Sequence, residues 1–116
     1  MLFDKTNGKK ISEKIILAST PWQRMKGLMF EDSNKFDYAL VFELPCESIA
    51  HATIHMLFVF FPIDVVFLDN QKKVVDIVRG IQPFTPGYAP KKPSKYLIEL
   101  PNAVSAEISI GDILEW

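Results

Sequence analysis

The stretch HMLFVFFPIDVVFLD, residues 55 to 69, limits the fold more than any other part of this chain. A membrane-spanning helix needs about 20 predominantly apolar residues. The stretch offers eight, Met56 to Ile63, before Asp64 interrupts and Val65 to Leu68 resume. As a helix it would carry Pro62 in its interior at a cost of about 3 kcal/mol, and its β-branched and aromatic residues favour strands. One straight strand from His55 to Leu68 would run roughly 46 Å at about 3.3 Å per residue, longer than a compact domain of this size is wide. The sequence therefore predicts two core strand segments, 53 to 60 and from Ile63 onward, bent at Pro62.

The rest of the chain supports a mainly β protein. EKIILA (13 to 18) and YALVFEL (38 to 44) read as strands, and IDVVFLD joins VVDIVRG through the turn-forming DNQKK as a hairpin. YLIELP (96 to 101) is a further strand, a turn or short helical piece is expected at 102 to 106, and ISIGDILEW ends the chain as strand, Gly-Asp turn, strand. One short helix follows Thr20, a good N-cap with Pro21 at the first helical position and Gln23 completing a capping box. It should end at Gly27, with Leu28 folding back on it and Trp22 and Met25 facing the core. Residues 83 to 93, with four prolines, can be neither helix nor central strand. At 116 residues the chain is expected to form one domain, an antiparallel β-sandwich or partly closed barrel with one N-terminal helix.

Charge and cysteine content restrict partners. Thirteen basic and fourteen acidic side chains leave a formal charge of -1, so nucleic acid and membrane surfaces are not expected partners. Cys46 is the one cysteine and no apolar h-region follows the first charged residues, which points to the cytoplasm. No cofactor or metal is expected.

The segments RMKGLM (24 to 29), FPIDVVFLD (61 to 69), LIELP (97 to 101) and ISIGD (108 to 112) occur in that order. Together they resemble the family called domain of unknown function 192, small β proteins showing R-x-x-G-L-M, then P-[IL]-D-[VI]-x-F-[IL]-D, a strand ending in L-E and a G-D turn. The resemblance implies a compact sandwich or barrel-like fold and brings no catalytic residues with it. Many members carry Met-Lys-Asn or Met-Arg just before the second motif, where this chain has Phe58, Val59 and Phe60.

Candidate site residues follow from chemistry. On strand alternation Asp64 shares a face with Val66 and Leu68, so it is either a general acid or base in a pocket or a carboxylate tied to backbone N–H groups. Arg24 is the obvious cation for Asp64, for Glu99 or for a ligand anion. On a strand His51 and His55 would lie about 13 Å apart, too far to share a metal. Cys46 with either histidine has the elements of a nucleophile and base, or is a small buried hydrophobe. Tyr88 and Tyr96 with Lys91, Lys92 and Lys95 suggest an anion patch or a solvated loop. Met25, Met29 and Met56 suit core filling better than a soft metal.

Three functions are open at this stage. The first is a module that binds a small ligand or extended peptide near Arg24, Asp64 and Tyr88, without catalysis. The second is a small hydrolase or acid-base enzyme built around Asp64 with His55 or Cys46. The third is a structural subunit of a larger assembly.

Overall fold

The computed structural model describes residues 1–116, and ten elements follow one another along the chain. They are β1 (Leu2–Asp4), β2 (Lys9–Ser12), β3 (Ile15–Ala18), α1 (Pro21–Lys26), a 3-10 turn (Ser33–Lys35), β4 (Ala39–Ser48), β5 (Ile63–Leu68), β6 (Val74–Ile81), β7 (Ser94–Pro101) and β8 (Leu114–Glu115). A five-stranded sheet in the order β3-β4-β7-β5-β6 packs against a three-stranded sheet in the order β2-β1-β8. The fold is a sandwich with no closed barrel. Its pairings are antiparallel except β3 with β4, which run parallel across the helical connection.

The apolar run of β5 has a simple cause. The five-stranded sheet is covered on both faces, so every residue from Ile63 to Leu68 is buried and no polar alternation appears. Ile63, Val65 and Phe67 join Leu40, Phe42 and Leu97 in the core beneath α1 and the long loops. Val66 and Leu68 join Val41, Ile98 and Leu100 in a second core, closed by Leu2 and Leu114 of the small sheet. The longest dimension of the molecule is 34 Å, which leaves no room for a straight strand through the whole apolar run.

Only half of that run is a strand. Residues 53 to 60 make one isolated bridge, Ile54 to Tyr88, and Phe58 adopts φ +58°, outside strand geometry. Their backbone bonds go elsewhere: Met56 N–H to the Thr85 carbonyl, Tyr88 N–H to the Ile54 carbonyl, and Phe30 N–H to the Phe58 carbonyl. The segment is apolar because Ala52, Met56 and Val59 plug the first core from a loop. The proline-rich 83 to 93 segment braces it, held in turn by the Tyr88 hydroxyl, which donates to Asp76 at 2.8 Å.

The β5–β6 hairpin forms as expected, its turn fixed by Asp69, whose carboxylate accepts from the N–H groups of Gln71 and Lys73. α1 starts with the full Thr20–Gln23 capping box, and Gly27 ends it at φ +50°. Trp22 and Met25 do not face the core. They are 64% and 60% exposed, α1 buries none of its residues, and Leu28, just beyond it, supplies the apolar anchor. A helix of six residues has too little surface to bury an apolar stripe of its own.

The expected strand from Ile108 to Ile110 is a turn, and only Leu114–Glu115 pairs with β1. The β1–β2 hairpin is an element the polar sequence of β2 does not advertise. Its turn is held by Asp4, whose Oδ1 accepts from Thr6 N–H at 3.0 Å. Burial and the neighbouring Asp112 push the Asp4 carboxyl up to about 6. No helix is long and apolar enough to cross a membrane.

Candidate functional site

A cavity of about 380 Å³ opens between α1 with its following turn, the middle of β4 and β7, and the loop from His51 to Val59. Strand alternation decides what reaches it. On β7, Ile98 and Leu100 point into the second core, so Leu97 and Glu99 point to the side of α1. Glu99 lines the cavity, is only 6% exposed, and its Oε1 has no hydrogen-bond partner. Burial pushes its carboxyl up to about 8, because a carboxylate there would lose its hydration without gaining a partner. At neutral pH Glu99 is mostly a carboxylic acid, able to donate one hydrogen bond as well as accept.

Gly27 lies beside this group. A Cβ at Gly27 would lie 3.5 Å from Glu99 Oε1 and 3.7 Å from the end of the Phe42 ring. The turn after α1 thus passes close to the acid with no side chain between them. RMKGLM and LIELP, far apart in sequence, meet here.

Arg24 also lines the cavity but forms no ion pair. Its guanidinium donates to the Ser19 carbonyl at 3.2 Å, so neither Glu99 nor Asp64 is its partner. Lys26, beside it, pairs with Glu31 at 3.1 Å. His51 and His55 both line the cavity, from a loop rather than a strand. His55 Nδ1 accepts from Leu57 N–H at 3.2 Å, while His51 Nδ1 lies 3.5 Å from Cys46 Sγ. Cys46 is exposed and has His51, not His55, as its neighbour.

Asp64 and Tyr88 lie elsewhere. Asp64 is fully buried on the opposite face of the sheet and accepts from Gly80 N–H (2.9 Å), Ser105 N–H (3.0 Å) and the Ser105 hydroxyl (2.6 Å). Tyr88 stacks on Phe67, and burial with the Asp76 bond pushes its hydroxyl up to about 12. Lys95 reaches inward to the Leu44 carbonyl at 2.7 Å, which separates it from Lys91 and Lys92. Met56 is buried in the core, whereas Met25 and Met29 line a groove.

That groove, about 330 Å³, continues the cavity outward and shares Met25, Lys26, Met29 and His55 with it. Its wall is Phe30 stacked on Phe58, with ring centroids 5.0 Å apart. Both residues hold positive φ, +63° and +58°, a conformation bulky side chains rarely adopt without support from their surroundings. The two loops are tied there by backbone bond and ring stack together.

In the sequence Asp64 stands out, and Glu99 figures only as a partner for Arg24. The signal for Glu99 was of the same kind: a carboxylate between apolar Ile98 and Leu100 on a strand.

The fold and cleft define a small two-sheet β protein with one helix over a cavity. Within that class the chain belongs to the family described as Uncharacterized ACR, the domain of unknown function 192, whose model matches residues 2–116. A UPF0127 protein of Thermococcus sibiricus is 42% identical over all of this chain and 74% of its own length. One from Pyrococcus furiosus is 38% identical over 99% of this chain and 97% of its own. Among solved structures, a protein of unknown function from Novosphingobium aromaticivorans matches with a TM-score of 0.79 at 25% identity, over 88% of this chain and 74% of that one. A crystal structure from Sinorhizobium meliloti shares the fold, with a TM-score of 0.83 at 23% identity over 98% and 88%.

Proposed function

We propose that this chain is a ligand-binding module without catalysis of its own, and that the cleft under α1 is its binding site. The observation that carries this reading is the Glu99 carboxyl, buried in the wall of the cavity with its Oε1 unpartnered. Buried polar groups in folded proteins are nearly always hydrogen-bonded, so a group left without a partner beside an open cavity is suited to a ligand. The apolar outer groove adds surface that a ligand would cover. An enzyme built on Asp64 has less support, because its carboxylate is already committed to Gly80 and Ser105. The Cys46–His51 contact lacks a third group: His51 Nε2 has no partner in the chain to orient the ring.

Strand addition by an extended peptide is a second reading, favoured by β3. This strand is an open edge of the large sheet, and its Ile16 and Leu17 are 47% and 55% exposed.

Freshly purified protein should show an added mass in native but not denaturing mass spectrometry, or a rise in Tm with some compound in a panel of small amines, acids, amides and extended peptides. Thr53→Trp, which fills the cavity, should abolish the effect of a small ligand and spare a peptide bound at β3. A bare mass with no compound raising Tm would overturn the reading.

A further inference from the structure

We propose that the ligand is an amphipathic primary amine, its ammonium set against the Glu99 carboxyl in the inner cavity and its apolar stem lying along Met25, Met29 and Phe58. The inference rests on the cleft being a binding site and specifies what the cleft takes. Three observations lead to it. The chain supplies the Glu99 carboxyl with neither a cation nor a hydrogen-bond donor: Lys26 is held by Glu31, Arg24 by the Ser19 carbonyl and Lys95 by the Leu44 carbonyl. Glu99 is the one acid among the residues lining the cavity and groove, so they offer one position for one ammonium. The outer groove presents thioethers and aromatic faces, surfaces that accept a methylene stem and tolerate a cation.

The titratable groups around Glu99 are few. Arg24 and Lys26 come from α1, His51 and His55 from the loop after β4, and Tyr38 from the bend just before β4. Burial first, then Glu31 and Glu99, raises the Tyr38 hydroxyl above its ordinary range, so it stays neutral.

Proton balance makes the proposal testable. With the Glu99 carboxyl held at about 8, most molecules at pH 7 carry its proton. An incoming ammonium keeps its own protons and displaces that one to solvent. Binding should release about one proton and tighten about tenfold per pH unit between pH 6 and 7, levelling off above about 8.

The experiment is isothermal titration calorimetry with hexylamine in phosphate and in MOPS, buffers without a primary amine that report proton release through their different ionisation heats. Hexanamide and hexanoate serve as neutral and anionic counterparts. Hexylamine should bind with proton release, and Glu99→Gln should weaken it by about tenfold or more while its thermal unfolding stays cooperative. Hexanamide or hexanoate binding as tightly, or Glu99→Gln retaining hexylamine, overturns the amine and leaves the binding module standing. Binding by no member of the series also overturns the amine; only if the wider panel and the mass measurement are negative too does the module fall. A pentapeptide with one central lysine and an acetylated N-terminus distinguishes the source: tighter binding than hexylamine assigns the amine to a partner's lysine side chain, weaker binding to a small molecule.

Discussion

Asp64 and Glu99 sit on neighbouring strands, one residue out of step: Asp64 pairs with Leu100 and Val65 with Glu99. Both are buried carboxyl groups in the middle of the large sheet, yet they face opposite layers. On the side of the small sheet, the turn after β7 brings Ser105 to Asp64, and Arg79 fixes that turn through the carbonyls of Ser105 and Ile108. On the side of α1, the covering layer is a short helix with its following turn and a loop, and neither gives Glu99 a donor. Equal burial thus gives two chemistries, and what separates them is whether the layer above supplies hydrogen bonds.

The largest loss of stability is expected at Asp64. Asp64→Ala leaves the buried N–H of Ser105 and its hydroxyl without an acceptor, and the Gly80 N–H loses its own. Each orphaned group costs about 1–3 kcal/mol, so roughly 4 kcal/mol in total is expected by urea unfolding at pH 7. A loss under about 1 kcal/mol would mean that Asp64 does not tie the two layers together.

Glu99 should behave in the opposite sense. Its folded carboxyl is held at about 8 against an ordinary value of 4.5, so the folded state binds the extra proton. That contribution is fully present below about 4.5, declines as the pH rises, and is gone once the pH passes about 8. Glu99→Gln keeps the shape of the protonated acid and cannot ionise. At pH 9 it should be more stable than the parent by roughly 5 kcal/mol, with the advantage shrinking towards pH 5. Unfolding midpoints measured across that range check the sign, and a variant less stable than the parent at pH 9 would show that Glu99 has a partner after all.

The same contrast explains what could be read from sequence. The α1 start and the β5–β6 hairpin were legible because their signals are local: Thr20 and Gln23 are three residues apart, and Asp69 bonds within its own turn. The sheet of β1, β2 and β8 was not, since it joins Phe3 to Glu115 at opposite ends of the chain and β2 is polar. Residues 53 to 60 have strand composition, but their backbone partners lie in the 83 to 93 loop and at Phe30, contacts no local pattern encodes. Which of Asp64 and Glu99 would lack a partner depended on the covering layer, so the sequence pointed to Asp64 and offered Glu99 only as a partner for Arg24.

The smallest expected effect tests that covering layer directly. Truncating a core Trp costs about 3–5 kcal/mol, the outcome expected if Trp22 faced inward. It is 64% exposed instead, so Trp22→Ala should change stability by less than about 0.5 kcal/mol. Trp22 lines the outer groove with Met25, Phe30 and Phe58, so the same variant should weaken whatever ligand the cleft holds while leaving the urea midpoint unchanged. A large loss of stability would instead place α1 tightly on the sheet, closing the cavity over Glu99 and removing the difference between the two carboxyl groups.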